Sequence, residues 1–287
     1  MGRGMTQPEQ VTLSDGRRVS VRQFGAADGS PVLILDGAGS RVFARLLDAA
    51  AADAGARLVA PDRPGFGDSD PRPRRTILDW ADDATAVADH LELDRFAVLG
   101  ISGGTPFAIA TAARLPDRVT RLGILGGVSP LDDRVFTGAS SATKKGYTVG
   151  RRVPVLMHGA FSRLGRQARR NPDRAIGRLF ATRPEDAHVL DDPDTMAVLR
   201  DEFPVMFAHP RENAREFRLM ARSWGVEPEE VRAPTFLWYG GADTVHPPAM
   251  GRLLAERIPD ATLSVRPDVG TFRLLDDAHE HLQALIS

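Results

Sequence analysis

The chain has 287 residues, 42% of them hydrophobic and 26% charged, which suits a globular protein with one large domain or one domain plus an insert. Its net charge of −1 offers no global attraction to nucleic acid or to an anionic membrane. Because it contains no cysteine, disulfides, thiolate catalysis and cysteine-based metal sites are excluded. The first ten residues lack the apolar stretch of a signal peptide, and no run approaches the ~18 apolar residues of a membrane span, so we expect a cytoplasmic protein.

The first 127 residues predict strands and helices that alternate along the chain. Two short strands are expected between residues 10 and 24, around the turn Asp15-Gly16, and later unbroken apolar runs predict strands buried on both faces. The predicted strands 31–36, 56–61, 96–101 and 119–127 alternate with the predicted helices 41–54, 76–91 and 103–114. Such alternation is typical of a parallel sheet flanked by helices.

The alternation stops near residue 129 and resumes at residue 233, with strands predicted at 233–241 and 261–267 and helices at 247–257 and 276–286. Residues 130–232 show no strong strand pattern, and prolines break their candidate helices at Pro154, Pro172, Pro184, Pro193, Pro204 and Pro210. We therefore predict a core of residues 1–129 and 233–287, with a helical cap of residues 130–232 inserted above the carboxyl ends of the strands.

A catalytic motif lies between a predicted strand and a predicted helix. The sequence LGISGG contains G-x-S-x-G, with Ser102 at its centre and glycines at 100, 103 and 104. Small neighbours are needed because a nucleophilic serine sits on a strained strand-to-helix turn, which also directs backbone N–H groups at the reacting oxygen. The alternative is a glycine-rich turn with an incidental serine, but the strand-to-helix context favours a nucleophile elbow.

Three segments resemble those of the α/β-hydrolase superfamily: RLVAPDRPGFGDSD (57–70), FAVLGISGGTPFAIATAARLPDRVTRLGILGG (96–127) and APTFLWYGGADTVHPPAM (233–250). The resemblance extends from about residue 11 to the end of the chain, apart from the variable cap. It implies an enzyme of the α/β-hydrolase fold, with Ser102 as nucleophile and Asp243 as the acid. It also implies that the backbone N–H of Gly103 is one oxyanion donor.

The first departure from the family lies after the third strand, where His-Gly is usual and this chain has Asp36-Gly37-Ala38-Gly39. A carboxylate at Asp36 would oppose a developing oxyanion, and burial would raise its pKa, so that it could act as an acid or base. Alternatively, Asp36 caps the short turn through backbone hydrogen bonds. Both interpretations remain open, and the backbone N–H of Ala38 or Gly39 is the expected second oxyanion donor.

The second departure concerns the base. The family places a histidine after glycine between the last strand and the last helix, where this chain has Gly270-Thr271. A threonine hydroxyl cannot accept a proton near pH 7, and without a base Ser102 is a poor nucleophile. We therefore expect that the usual serine–histidine–aspartate route to ester turnover is not available.

Another histidine would have to replace the missing base. His246 lies three residues after Asp243 on the same loop, and we favour a surface position for it, before two prolines, over a place at the pocket. His158 and His209 belong to the predicted cap, from which they could point down at Ser102.

Residues 163–178 contain six arginines, and Arg163, Arg166, Arg170 and Arg174 recur every three to four residues. We favour a solvated helix face for them. The alternative is a docking face for an acidic partner, such as a carrier protein, or for an anionic substrate.

These observations favour an enzyme on the hydrolase scaffold that activates the carbonyl of a small organic substrate without hydrolysis, by cyclisation, elimination or related chemistry. The first alternative is a serine ester or lactone hydrolase whose base is His246 or a cap histidine. The second alternative is a non-catalytic protein that binds a small ligand. None of these hypotheses implies a cofactor or a metal.

Overall fold

Eight strands form one sheet in the computed structural model of this chain, which describes residues 8–287 apart from the side chains of Ala38, Asp133, Arg151 and Pro154. The strands are β1 (Glu9–Thr12), β2 (Arg18–Gly25), β3 (Ser30–Leu35), β4 (Ala56–Pro61), β5 (Phe96–Ile101), β6 (Val119–Leu125), β7 (Thr235–Gly240) and β8 (Ala261–Arg266). Their order is β1-β2-β4-β3-β5-β6-β7-β8, with β2 antiparallel to both of its neighbours and every other pair parallel. The predicted, mostly parallel sheet is confirmed.

Eleven α-helices accompany the sheet within residues 8–287. They are α1 (Val42–Leu46), α2 (Asp48–Ala54), α3 (Asp79–His90), α4 (Thr105–Arg114), α5 (Ser141–Arg152), α6 (Pro154–Arg170), α7 (Pro172–Phe180), α8 (Pro193–Met206), α9 (Pro210–Met220), α10 (Pro248–Arg257) and α11 (Ala278–Ile286). The apolar strands explain why helices cover both faces of the sheet, since β5 is buried at every position and must be shielded from water on each side. The single helix predicted at 41–54 is two short helices, α1 and α2, that meet at Leu47.

Helices α5 to α9 lie between β6 and β7 in the chain, in the region that the sequence predicts to be helical. Four of the prolines that were expected to break helices are instead the first residues of α6, α7, α8 and α9. A proline is tolerated there because the first turn of a helix leaves its N–H groups without intrahelical partners. Pro204 is different, since it lies inside α8.

Buried ion pairs tie this helical region to the core. Arg63, which follows β4, donates to both carboxylate oxygens of Glu216 on α9 at 2.8 and 2.7 Å. Its Nη1 donates to the backbone oxygen of Asp36 at 2.6 Å, after β3. Arg75 also contacts Glu216, at 3.2 Å. Because Arg63 and Glu216 are both buried, loss of Glu216 would leave the charge of Arg63 without compensation. The helical region is therefore held over the carboxyl ends of β3 and β4.

Within residues 8–287, no helix combines the length and the apolar character that crossing a membrane requires. Residues 1–7, which contributed to the expectation of no signal peptide, lie outside the described residues.

Candidate active site

Ser102 occupies the strained turn that the G-x-S-x-G motif predicts. It follows β5 directly, has a φ of +52°, and begins the 3-10 turn Ser102–Gly104 that leads into α4. A non-glycine residue at positive φ is costly and persists only where its surroundings enforce it. A Cβ at Gly104 would lie 1.8 Å from the backbone oxygen of Leu35, and a Cβ at Gly100 would lie 2.7 Å from the Cβ of Ala108. Both glycines are therefore required by close packing around the elbow.

His246 reaches the elbow, although its sequence position belongs to the loop after β7. Its Nε2 lies 3.1 Å from Ser102 Oγ, within hydrogen-bond distance, and the residue is 8% exposed. The surface position that we favoured for His246 is therefore wrong, and its imidazole lies beside the hydroxyl of Ser102. The physical reason is the turn that Asp243 closes, because its Oδ1 accepts the backbone N–H groups of Val245 at 2.7 Å and His246 at 2.8 Å.

Asp243 and Thr271 form a second contact at the site. Asp243 Oδ2 accepts a hydrogen bond from the Thr271 hydroxyl, and both residues are buried. The distance from Asp243 Oδ2 to His246 Nδ1 is 3.9 Å, which is too long for a hydrogen bond. Thr271 thus binds the carboxylate oxygen that faces His246. A Cβ at Gly126 would lie 2.4 Å from Thr271 Oγ1, so a glycine at 126 leaves room for this arrangement.

The environment of His246 favours its neutral form. Burial lowers the pKa of His246 to about 4, the carboxylate of Asp243 raises it, and the guanidinium of Arg183 lowers it further. A neutral imidazole can accept a proton from a serine hydroxyl at Nε2 when Nδ1 carries the ring hydrogen. At neutral pH, His246 is therefore in the protonation state that a general base requires.

Asp36 is buried, but its carboxylate is used by the backbone. Oδ1 accepts the N–H of Gly37 at 2.8 Å, and Oδ2 accepts those of Phe43 at 2.8 Å and Ala44 at 3.4 Å. Burial raises the pKa of Asp36 to about 7, against the opposing effect of these hydrogen bonds. Of the two interpretations left open by the sequence, the contacts favour a capping residue that shapes the turn, and they give no support to the predicted catalytic role.

The turn Gly37–Gly39 packs directly on the elbow. A Cβ at Gly37 would lie 3.1 Å from Ser102 Oγ and 3.3 Å from the backbone nitrogen of Gly103. Gly39 has a φ of +64°, and a Cβ there would lie 2.0 Å from the ring of Phe66. The segments that carry the expected oxyanion donors therefore face each other, with Ala38 in the middle of the turn and its side chain outside the described part of the structure.

A cavity of about 420 Å³ opens onto Ser102, His246 and Thr271. Most of its wall is apolar and comes from α1 and from helices between β6 and β7: Val42, Phe43, Met157, Phe161, Leu164, Leu179, Leu199, Phe203, Met206, Phe207, Phe217 and Met220. A volume of this size suits a small organic molecule. Apolar walls exclude water and strengthen electrostatic interactions at Ser102.

The two cap histidines do not contact Ser102. His158 and His209 line a separate pocket of about 440 Å³ near Glu212, and His158 Nε2 lies 3.5 Å from the Ser162 hydroxyl. These positions give no support to the hypothesis that a cap histidine supplies the base. Within the part of the chain that the structure describes, no group of three histidine or acidic side chains is arranged to hold a metal ion.

The arginines of residues 163–178 are exposed on two helices. Arg163, Arg166 and Arg170 belong to α6, whereas Arg174 follows the break at Asn171 and belongs to α7. Their exposure agrees with the solvated face that we favoured. A different arginine, Arg183, lines the cavity, and sequence analysis missed it because an isolated arginine carries no motif.

Comparisons with known proteins give four similarities. Residues 30–148 match the family described as alpha/beta hydrolase fold. The chain is 36% identical over 126 residues to 2-hydroxymuconate semialdehyde hydrolase from Pseudomonas sp. (strain CF600), a match that covers 41% of this chain and 43% of that enzyme. The chain thus spans less than half the length of this relative.

Two further similarities extend over nearly the whole chain. Pimeloyl-[acyl-carrier protein] methyl ester esterase from Chromobacterium violaceum is 30% identical over 269 residues, which cover 90% of this chain and 93% of that enzyme. Among solved structures, the enol-lactonase from Burkholderia xenovorans LB400 gives a TM-score of 0.68 at 19% identity, over 97% of this chain and 98% of that one. At 19% identity, the similarity to the enol-lactonase concerns the fold alone.

Proposed function

This chain belongs to the α/β-hydrolase superfamily, and on that premise we propose that it is a serine hydrolase of small esters or lactones, with Ser102 as nucleophile and His246 as general base. The observation that carries the proposal is the distance of 3.1 Å between Ser102 Oγ and His246 Nε2. The non-hydrolytic hypothesis rested on the lack of an imidazole at the elbow. The buried imidazole at that oxygen supports the hydrolase instead.

The proposed reaction uses the groups around the elbow in sequence. His246 Nε2 takes the proton of Ser102 Oγ as the oxygen attacks the substrate carbonyl, and later gives it to the leaving oxygen. The backbone N–H of Gly103, together with that of Ala38 or Gly39, donates to the oxyanion of the tetrahedral intermediate. Water then attacks the acyl-enzyme by the same route, which regenerates Ser102.

Asp243 acts on His246 through charge in this mechanism. Across 3.9 Å, its carboxylate favours the imidazolium that forms when His246 accepts a proton. Thr271 holds Asp243 Oδ2 in place by donating its hydroxyl. Residues 130–232 serve as the cap, which supplies the apolar wall and keeps bulk water from the acyl-enzyme.

The relatives guide the choice of substrate class. The esterase from Chromobacterium violaceum acts, by its name, on a methyl ester attached to an acyl-carrier protein. We propose by analogy that an acidic carrier protein docks at the exposed arginines of residues 163–178. Replacement of Arg163 and Arg166 by glutamine should weaken binding of an acyl-carrier protein and leave turnover of a free ester unchanged. Equal carrier affinity in the variant and the parent would contradict this part of the proposal.

Non-hydrolytic carbonyl chemistry remains the second candidate, and the distance between His246 Nδ1 and Asp243 Oδ2 favours it. Because the imidazole donates no hydrogen bond to the Asp243 carboxylate, it is a weaker base than in a complete triad. In that case Ser102 would only donate a hydrogen bond to the substrate, and no acyl-enzyme would form.

A serine-reactive fluorophosphonate separates the candidates, because it requires an activated hydroxyl. We expect the parent protein to be labelled at Ser102, as identified by mass spectrometry of its peptides, and the Ser102→Ala variant to remain unlabelled. Turnover of p-nitrophenyl esters should be lost in parallel. Absence of labelling and of ester turnover in a folded parent protein would exclude the hydrolase. Ligand binding without turnover would then favour a binding protein.

A further inference from the structure

Arg183 lies in the wall of the cavity that contains Ser102 and His246, and the reaction described above gives it no role. It follows α7 and immediately precedes the 3-10 segment Pro184–Asp191. Among residues 8–287, its guanidinium forms no hydrogen bond and no ion pair within 4.0 Å. Arg183 is half-buried. Arg63, by contrast, is buried and is bound to the carboxylate of Glu216. A guanidinium always carries its charge and offers five donors, so an unpaired one beside an apolar cavity requires an explanation.

The acidic side chains nearest to Arg183 are bound to other donors. Glu185 accepts the backbone N–H of Thr244 at 3.1 Å, and Asp186 accepts that of Phe272 at 3.0 Å. Asp243 is bound within its own loop and by the Thr271 hydroxyl. Burial lowers the pKa of Arg183, while these three carboxylates raise it without forming an ion pair. The donors of Arg183 therefore remain available to a group that enters the cavity.

Among the charged residues described in the cavity wall, Arg183 is the cation that forms no ion pair. Among the described residues of the wall, Glu216 is the acidic one, and it is neutralised by Arg63 and Arg75. His246 is neutral, since burial lowers its pKa to about 4. The rest of the wall is mostly aromatic and aliphatic. The guanidinium of Arg183 could therefore donate a charge-assisted hydrogen bond to an anionic ligand in this largely apolar cavity, where such a bond is strong.

We infer that Arg183 binds a carboxylate of the substrate, so that the protein acts on monoesters of small dicarboxylic acids or on lactones that bear a carboxylate. The apolar walls would hold the carbon chain between this carboxylate and the carbonyl that Ser102 attacks. The inference rests on the proposed function, because it assigns the substrate class of the same site. It gives Arg183 the role of a specificity-determining residue.

Matched substrates test the inference. Two series of p-nitrophenyl esters are compared, the monoesters of dicarboxylic acids from succinate to suberate and the neutral esters of equal chain length. We expect kcat/KM to favour the anionic ester by at least about tenfold at one chain length or more. Arg183→Gln should lower kcat/KM for the anionic esters, through KM, by a much larger factor than for the neutral esters. Arg183→Lys should keep part of the preference.

Arg178→Gln is the matched control, since it removes an exposed arginine of α7 that lies outside the cavity. We expect it to behave as the parent with both series. Equal losses for anionic and neutral esters in Arg183→Gln would overturn the inference and give Arg183 a purely structural role. The inference would also be overturned if the parent showed no anionic preference at any chain length. Circular dichroism of each variant establishes that it is folded.

A binding measurement keeps the inference separate from the hydrolase proposal. Calorimetric titration of glutarate and adipate into Ser102→Ala does not depend on turnover. We expect binding of one of these dicarboxylates, weakened at least about tenfold when Arg183→Gln is added. If the parent lacks ester turnover but this difference is found, the hydrolase proposal fails and the anion site stands. If turnover is found without any dicarboxylate binding or anionic preference, the anion site fails and the hydrolase proposal stands.

Discussion

The loop after β7 and the loop after β8 divide the proposed catalytic groups in an unusual way. In the family pattern, the first carries the acid and the second carries the base. Here the first carries both Asp243 and His246, and the second supplies the hydroxyl of Thr271. The two loops open at the same edge of the sheet because β7 and β8 are parallel neighbours. A side chain from either loop can therefore reach the space beside Ser102.

For the proposed base, the position of the imidazole in space matters more than its position in the sequence. Thr271 sits where the histidine is usual, and it binds the acid instead of the serine. His246 contacts the serine from the acid's own loop. An imidazole thus lies beside Ser102 as in the family pattern, but it comes from the loop after β7 instead of the loop after β8.

Removal of the imidazole is the most severe way to break this arrangement. His246→Gln should lower kcat for a p-nitrophenyl ester by at least about 10³-fold, since the hydroxyl of Ser102 would lose its proton acceptor. His158→Gln is the control, because it removes a histidine that lines another pocket, and its turnover should equal that of the parent. A loss of less than tenfold in His246→Gln would show that another group activates the serine.

The exchange between the loops can also be reversed. His246→Val combined with Thr271→His returns the imidazole to the family's position, where the volume vacated at 246 accommodates the ring. We expect kcat/KM at least about tenfold above that of His246→Val alone. If the double variant is no better than the single variant while remaining folded, the loop after β8 no longer has the geometry that the family position requires.

The hydroxyl of Thr271 is the next feature to test. Thr271→Val keeps the shape but leaves a buried carboxylate oxygen of Asp243 without its donor. The free energy of unfolding should fall by about 1–3 kcal/mol, as measured by urea denaturation. Thr271→Ser keeps the hydroxyl and should lie closer to the parent. A valine variant as stable as the parent, together with a destabilised serine variant, would indicate that the methyl group, and not the hydrogen bond, is what stabilises the fold.

Asp36 provides a further test, which concerns the pH dependence of stability rather than turnover. Its folded-state pKa of about 7 lies above the ordinary aspartate pKa of 3.8, so the protonated carboxyl is favoured in the folded state. The stability associated with that form is complete below about pH 4 and is lost as the pH rises toward 7. The unfolding free energy of the parent relative to Asp36→Asn should therefore decrease between pH 4 and pH 7. Parallel pH profiles would contradict this account.

Local patterns in the sequence predicted most of the core. Unbroken apolar runs placed the parallel strands within a few residues of their observed ends, and G-x-S-x-G placed Ser102 on its turn, because each pattern depends on neighbouring residues alone. The prolines of residues 130–232 were read as breaks, yet four of them begin helices. Their effect depends on whether a helix starts at the proline, which the residue type does not specify.

The candidate site was predicted less completely because its contacts join distant parts of the chain. The direction of His246 depends on a turn closed by the Asp243 carboxylate, and a sequence pattern does not reveal which way that side chain points. Arg183 is separated from Ser102 by 81 residues in the sequence numbering, and it has no motif. Asp36 could be recognised as unusual, but the three N–H groups that it binds became evident only from the structure.

The pH dependence of Ser102 inactivation tests the central claim most directly, namely that a buried, neutral His246 activates this serine. The second-order rate constant with a fluorophosphonate is measured from pH 3.5 to 8, with circular dichroism at each pH to establish the fold. Since burial lowers the pKa of His246 to about 4, the rate should stay level down to about pH 5 and fall only as the pH passes through about 4. In His246→Gln, this acid limb should be absent and the rate low throughout. A limb centred near pH 6.5, or the same profile in the variant as in the parent, would contradict the account.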